Sequence, residues 1–376
     1  MRLRDLLREL PIPEQEEARR RSHAVVRAAF AERQPTPQRR HYLQPALALV
    51  AVAAVAAAAA SPPGRAVLGS LRKTVAGEKR AAPELFGLPS GGRLLVNSRH
   101  GPWIVQANGS RRRLGDYREA AWSPHGKYVV VARSDEVVAV TPKGDVHWTL
   151  PRPRVRFARW GGSRVDTRVA YLSGNQLRMV AGDNTGDAEL CGEPPAAPIA
   201  PAWRPGIPHV LAFATAVGRV DVLDADRCSL RWRSAPFARP RALRWSDDGR
   251  RLLLVTRAEL VAFGAQARPL TVRPLRGVTD AAFRPGSHEL ALVRGGEVLA
   301  LSADHLGAAP HRLFRVTGRI GQIAWSPNGR WLLVTWPDAD QFLFVHGRRI
   351  RAVSGITRQF GGGAFPTLGG WCCPPP

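Results

Sequence analysis

Ala121-Trp122-Ser123-Pro124-His125-Gly126-Lys127, leading into the strand-like Tyr128-Val129-Val130-Val131-Ala132-Arg133, is the phrase on which the fold turns. It returns as Arg244-Trp245-Ser246-Asp247-Asp248-Gly249-Arg250, ahead of Leu252-Leu253-Leu254-Val255. It returns again as Ala324-Trp325-Ser326-Pro327-Asn328-Gly329-Arg330, ahead of Trp331-Leu332-Leu333-Val334. Degenerate copies are Arg159-Trp160-Gly161-Gly162, Ala202-Trp203-Arg204-Pro205-Gly206 and Ala282-Phe283-Arg284-Pro285-Gly286. Successive aromatic positions, 122, 160, 203, 245, 283 and 325, are 38, 43, 42, 38 and 42 residues apart. That period is about the length of one four-stranded propeller blade.

Each unit divides alike. In the first, Glu119–Trp122 reads as a strand, 124–126 as a turn and 127–133 as a second strand. A third strand at 136–141 and a fourth at 146–150 flank the turn Pro142-Lys143-Gly144-Asp145. Period-two alternation and Gly-containing turns predict antiparallel hairpins. A lone blade cannot bury both its sheet faces, so blades must stack around an axis. The expected fold is therefore all-β, a β-propeller of four-stranded blades.

The ends suggest how the ring closes. Residues 92–97, 102–106 and 111–114 read as three strands with no anchor strand before them. Residues 358–365 lead into Ala364-Phe365-Pro366, an anchor with no blade after it, and Phe365 lies 40 residues past Trp325. Pairing that last strand with the first three would remove an exposed edge. This composite gives seven blades, or six should the unit at Trp160 or the terminal strands not be true blades. Trp122, Trp160, Trp203, Trp245, Phe283, Trp325 and Phe365 are then the blade anchors, periodic core residues rather than a ligand-stacking surface.

The Trp-Ser-Pro-X-Gly phrase after an anchor strand resembles the WD40-like, or TolB-type, propeller repeat over roughly residues 92–366. The resemblance implies a scaffold used in binding platforms, assembly factors or appendages of peptidases. Lys143-Gly144-Asp145-Val146-His147-Trp148 and Asp224-Ala225-Asp226-Arg227-Cys228-Ser229-Leu230-Arg231-Trp232 also resemble unit ends of quinoprotein-type propellers and of outer-membrane assembly propellers. With two copies, they imply no quinone, and no cofactor is expected.

Ahead of the repeat, residues 43–61 read LQPALALVAVAAVAAAAAS without a charge. The apolar run 45–60 would be about 24 Å long as a helix, somewhat under the roughly 30 Å of a bilayer core. A cleaved signal peptide and a buried soluble helix are the rivals. A forty-residue, acid-containing leader is far longer than a signal-peptide n-region, and a soluble helix would usually show a polar face. A single transmembrane helix is the expectation. Arg39-Arg40 precede it, so residues 1–42 should be a cytoplasmic tail, although Arg65, Arg72 and Lys73 make the other flank basic too. Within that tail, Pro13 opens an amphipathic helix with Ala18, Val25, Val26, Ala29 and Phe30 on one face. Residues 62–90 form a linker with a short helix around 64–75, residues 91–366 the propeller, and 367–376 a C-terminal tail.

The formal net charge is +25. Only four of the 55 basic residues are Lys (Lys73, Lys79, Lys127 and Lys143), a bias typical of GC-rich coding. The charge is spread along the chain without a dense basic block. Nucleic acid is accordingly not the expected partner, since net charge acts first on solubility and non-specific attraction.

Cys191, Cys228 and Cys372-Cys373 fit neither a CxxC nor a Cys/His zinc pattern, so no metal site is expected. Cys191 and Cys228 fall late in adjacent units and form a candidate disulfide in an oxidising compartment. Vicinal Cys372 and Cys373 could bridge only with strain, could pair with another chain, or could have no role. Asp183-Asn184-Thr185-Gly186-Asp187 opens like a calcium loop but lacks the later bidentate acid, so an ordinary turn is expected. GxSxG, HExxH and Walker signatures are absent. His100, His125, His147, His288, His305 and His346 are scattered over different units.

The sequence thus predicts a non-catalytic, membrane-anchored propeller acting outside the cytoplasm as a binding or scaffold module. Its partner would be a protein or an anionic envelope polymer. A sensor relaying ligand binding to the tail and an enzyme on the propeller axis are the alternatives.

Overall fold

The computed structural model describes residues 87–266 and 269–373. The tail 1–42, the expected span 43–61 and most of the linker 62–90 lie outside the described residues. Among the described residues no helix is long and apolar enough to cross a membrane.

Seven four-stranded antiparallel sheets form the propeller. Blade 1 joins Thr367–Cys372 to Arg93–Ser98, Gly101–Val105 and Arg111–Arg113. Blades 2 to 7 follow in sequence at 119–151, 155–189, 202–233, 240–274, 278–315 and 323–354. The first strand of each sheet is innermost. These inner strands touch one another in cyclic order, blade 7 meeting blade 1, so the ring is closed.

The apolar runs of the sequence become the two middle strands of each blade. Val129–Ala132, Val210–Ala214 and Val220–Asp224 are buried at every position, because a neighbouring blade covers each face. The core accordingly divides into seven clusters, one at each junction between neighbouring blades. Outer strands such as Ser229–Arg233 and His311–Arg315 bury a single residue, Trp232 and Phe314 respectively, and expose the rest.

The repeated phrase is a turn whose chemistry explains its letters. Gly126, Gly249 and Gly329 adopt φ of 65°, 66° and 65°, the left-handed region that glycine enters without steric cost. Their N–H groups donate to the carbonyls of Ser123, Ser246 and Ser326 at 3.0, 2.9 and 2.8 Å. The Ser hydroxyl oxygens accept from the backbone N–H five residues on, at Tyr128, Arg251 and Trp331. Ser and Gly thus pin each inner strand to the strand that follows.

The composite closure uses a different strand from the one expected. Residues 358–365 do not form it. Ile356–Gln359 is one helical turn, and Gly361, Gly362 and Gly363 follow at φ of 95°, 83° and 86°, which no strand can continue. The strand starts beyond Pro366, at Thr367–Cys372, so the propeller reaches into the expected tail. The anchor of blade 1 is Trp371, not Phe365. Its indole N–H donates to the Gly91 carbonyl at 2.9 Å and its ring meets Phe344 edge-on at 5.6 Å. Phe365 packs beside the ring, edge-on to Phe342.

Candidate functional site: the mouth of the central channel

The inner strands surround a cavity of about 1580 Å³ on the axis. Six of the seven blades line it, all but blade 4, and residues of the Trp-Ser turns, among them Ser123, Lys127, Asp247 and Pro327, border it on one face. That face is the candidate site.

Anchor residues tie the inner strands together around it. Trp122 donates its indole N–H to the Gly370 carbonyl at 3.2 Å, Trp203 to Arg159 at 2.9 Å and Trp245 to Ala202 at 3.1 Å. Every acceptor is the residue just before the anchor of the preceding blade. The rings are therefore core residues and also rivets between blades. Trp160 and Trp325 make no such bond, and Phe283 has no N–H to offer.

A second set of bridges explains the degenerate phrases. Arg204 lies over the Trp245 ring at 5.3 Å and donates to the Gly249 carbonyl at 2.8 Å. Arg284 does the same to Trp325 at 5.5 Å and to Gly329 at 2.9 Å. Arg93 covers Trp122 at 5.0 Å and donates to Gly126 at 2.7 Å. The Arg-Pro-Gly units of blades 4 and 6 thus supply clamps for the complete Ser-X-X-Gly turns of blades 5 and 7. Burial lowers the pKa of Arg93 and Arg204, and the aromatic face and carbonyl partly replace the lost water.

Deeper in the channel, polar side chains bond across blades. A Glu119 carboxylate oxygen accepts the backbone N–H of Phe157. Asp280 accepts from Ile323 at 3.0 Å, and the Gln322 amide oxygen from Leu368 at 2.7 Å. Burial pushes the Asp280 carboxyl above the usual range, against Arg244 and two backbone N–H donors. Arg159 lines the same space. Burial lowers its pKa, Glu119 opposes, and neighbouring Arg244 adds to the lowering.

Two matching clusters lie between blades at the ends of inner strands. His288 of blade 6 bonds Asp304 of its own blade at 2.8 Å and Asp248 of blade 5 at 3.0 Å, while Arg251 pairs with Asp304. His209 of blade 4 meets Asp226 of its own blade at 2.5 Å and Asp166 of blade 3 at 3.3 Å, with Arg168 paired to both acids. The ligand atoms of Asp166, His209 and Asp226 lie within 4.8 Å of one another. Arg168 already brings a fixed cation to both carboxylates.

The remaining sequence candidates fall into place individually. Cys191 and Cys228 are joined, their Cα atoms 5.1 Å apart, linking blades 3 and 4. Cys372 and Cys373 are joined to each other beside the channel mouth. In the calcium-like loop, Asp183 accepts from Thr185, while Asp187 turns inward to Arg152, Arg178 and the Tyr171 hydroxyl. Those two acids do not converge on one point. His125 and His147 both line the mouth, where His147 stacks on Tyr128 and Tyr128 on Trp160 at 4.6 and 5.5 Å. His209 escaped the sequence reading altogether. Its partners Asp166 and Asp226 lie in turns 43 and 17 residues away, and its one local mark is φ of 61°.

Solved structures share the architecture. The C-terminal WD40 domain of Sif2 superposes with a TM-score of 0.55 at 11% identity, covering 74% of this chain and 89% of that one. A chain of a mitotic checkpoint complex gives 0.52 at 14%, covering 73% and 82%. The Myceliophteria thermophila Cps50 (Swd1) β-propeller domain gives 0.50 at 15%, covering 64% and 86%. At such identities the likeness is one of fold. No family model matches the sequence, and no curated protein matches it as a relative.

Proposed function

We propose that this chain is a membrane-anchored binding scaffold whose non-catalytic propeller stands outside the cytoplasm and offers its channel mouth to a partner. A protein fits that mouth better than a polymer, because the rim mixes aromatic rings with charges of both signs. The observation that carries the reading is the rim itself. Six blades converge on one cavity, and Trp and Arg bridges tie neighbouring blades together around it, so a ligand meets a preorganised surface. Glu119, Asp280 and Gln322 are committed to backbone bonds between blades, which suits them to structure better than to proton transfer. The charge-free stretch 43–61 behind Arg39-Arg40 and the paired cysteines support anchoring and an oxidising surrounding.

A photo-reactive residue placed at Lys127 or Arg164, both exposed at the mouth, tests the binding face. Illuminated in native membranes, these positions should give a defined adduct. The same residue at Leu230, on the outer strand of blade 4, should not. Matching patterns from mouth and flank would end the reading.

A further inference from the structure

The residue just before each anchor faces a neighbouring blade close to the axis. Five blades carry a small residue there: Gly370, Ala121, Ala202, Ala282 and Ala324. Blades 3 and 5 carry arginine, at Arg159 and Arg244. Both guanidinium groups line the channel, in one sector of the ring on either side of blade 4.

Neither makes a close, forked ion pair with a described residue. Among the described residues Arg159 has no ion-pair partner and donates one hydrogen bond, to its neighbour's carbonyl at Ala158, 2.8 Å away. Arg244 reaches Asp280 only at 3.9 Å and otherwise donates to the Leu243 carbonyl at 3.3 Å. A guanidinium has five N–H donors, so most of this capacity is unused by protein. The acids nearby accept backbone N–H groups, Glu119 from Phe157 and Asp280 from Ala281 and Ile323, and neither forks onto a guanidinium. Beyond burial, Arg244 lowers the pKa of Arg159, and an anion bound between the two guanidinium groups would relieve that repulsion.

We infer that Arg159 and Arg244 form a carboxylate-binding site on the propeller axis, reached from the Trp-Ser face. It rests on the channel mouth being the binding face. A planar guanidinium matches a carboxylate in a two-bond fork. A dicarboxylate suits the site better than phosphate, because it gives each arginine one planar, singly charged group to fork onto. The apolar rings of Trp160, Trp122 and Trp325 line the same space and would cover the ligand's hydrocarbon part.

The test uses the purified full chain, with acetate and succinate as probes against phosphate and chloride at constant ionic strength. A ligand that binds only the folded state raises Tm in proportion to ln(1 + [L]/Kd). Succinate should raise Tm saturably, and phosphate should do so at least tenfold less tightly. Alanine is already the residue of other blades at this position, so R159A and R244A should fold. Each should weaken the succinate response at least tenfold, and the double variant should lose it. Arg159→Lys keeps the charge without the fork and should respond weakly. A wild-type response surviving in the double variant, equal responses to phosphate and succinate, or no saturable shift would each overturn the assignment. Adducts from Lys127 that persist in the double variant, with no succinate response in wild type, would sink this inference and leave the scaffold standing.

Discussion

The indole N–H of Trp203 donates to the backbone carbonyl of Arg159, 2.9 Å away across the junction of blades 3 and 4. The ring lies directly against Gly161, where any Cβ would fall within the indole. This contact explains why the blade 3 phrase reads Trp-Gly-Gly instead of Trp-Ser-Pro: the second letter makes room for the next blade's anchor. Trp203→Phe removes one hydrogen bond and keeps most of the packing, and should cost about 1–2 kcal/mol. Gly161→Ala forces a side chain into the ring and should cost about 1–3 kcal/mol, at least as much as the far larger chemical change at Trp203. Urea denaturation of both variants decides it. A neutral Gly161→Ala would show that the ring can move aside.

This pair also marks the limit of what could be read from sequence. Blade count and anchors were legible because the period is carried by a large aromatic that every blade needs at one place. The alternation of Ser with Arg after the anchor looked like decay of the phrase. It is a division of labour, since Arg204 and Arg284 act on the turn of the blade that follows, over forty residues away. The closing strand was misplaced for a related reason. Phe365 kept step with the period, but the helical turn at Ile356–Gln359 and three glycines in left-handed backbone shift the true anchor to Trp371. Insertions break a count while leaving the topology intact. The channel charges and the His209 cluster were invisible because each is assembled from different blades.

His288 gives a pH dependence whose sign follows from its surroundings. Burial lowers its pKa, but bonds to Asp304 and Asp248 outweigh that and raise it overall. Its contribution is therefore fully present below the unfolded value of roughly 6.5 and is lost as pH rises through the higher folded value. Asp248 acts oppositely. Burial would raise it, yet Ser246, the Arg250 N–H and His288 hold it down to about 2, so its contribution is lost as pH falls from about 4 toward that value. Stability from the cluster should peak between about pH 4 and 6.5. His288→Asn should flatten the alkaline limb of a Tm-versus-pH curve and cost about 1 kcal/mol at pH 6, a figure reduced because Asp248 is partly exposed. An unchanged limb would rule out His288 as the titrating group.

Closure of the ring makes a sharp comparison between two aromatic residues six positions apart. Trp371 is buried at the seam between blades 7 and 1, whereas Phe365 lies only partly buried beside it. Trp371→Ala should cost about 3–5 kcal/mol, a typical loss for a large buried aromatic. Phe365→Ala should cost clearly less. Equilibrium unfolding followed by Trp fluorescence measures both, and a larger loss at Phe365 would reassign the closing anchor.

The bond between Cys191 and Cys228 joins neighbouring blades and closes a loop with a sequence separation of 37. Constraining a loop of that size in the unfolded chain is worth about 2–4 kcal/mol, so Cys191→Ser with Cys228→Ser should lose about that much. The same bond reports the compartment. In a Cys372→Ser, Cys373→Ser background, a membrane-impermeant maleimide added to intact cells should label nothing at first. External reduction should then expose both thiols to it. A domain facing the cytoplasm would behave differently, because reduced thiols there become reactive on lysis with no reductant added. That second pattern would remove the extracytoplasmic half of the proposal and leave the propeller to bind its partner inside the cell.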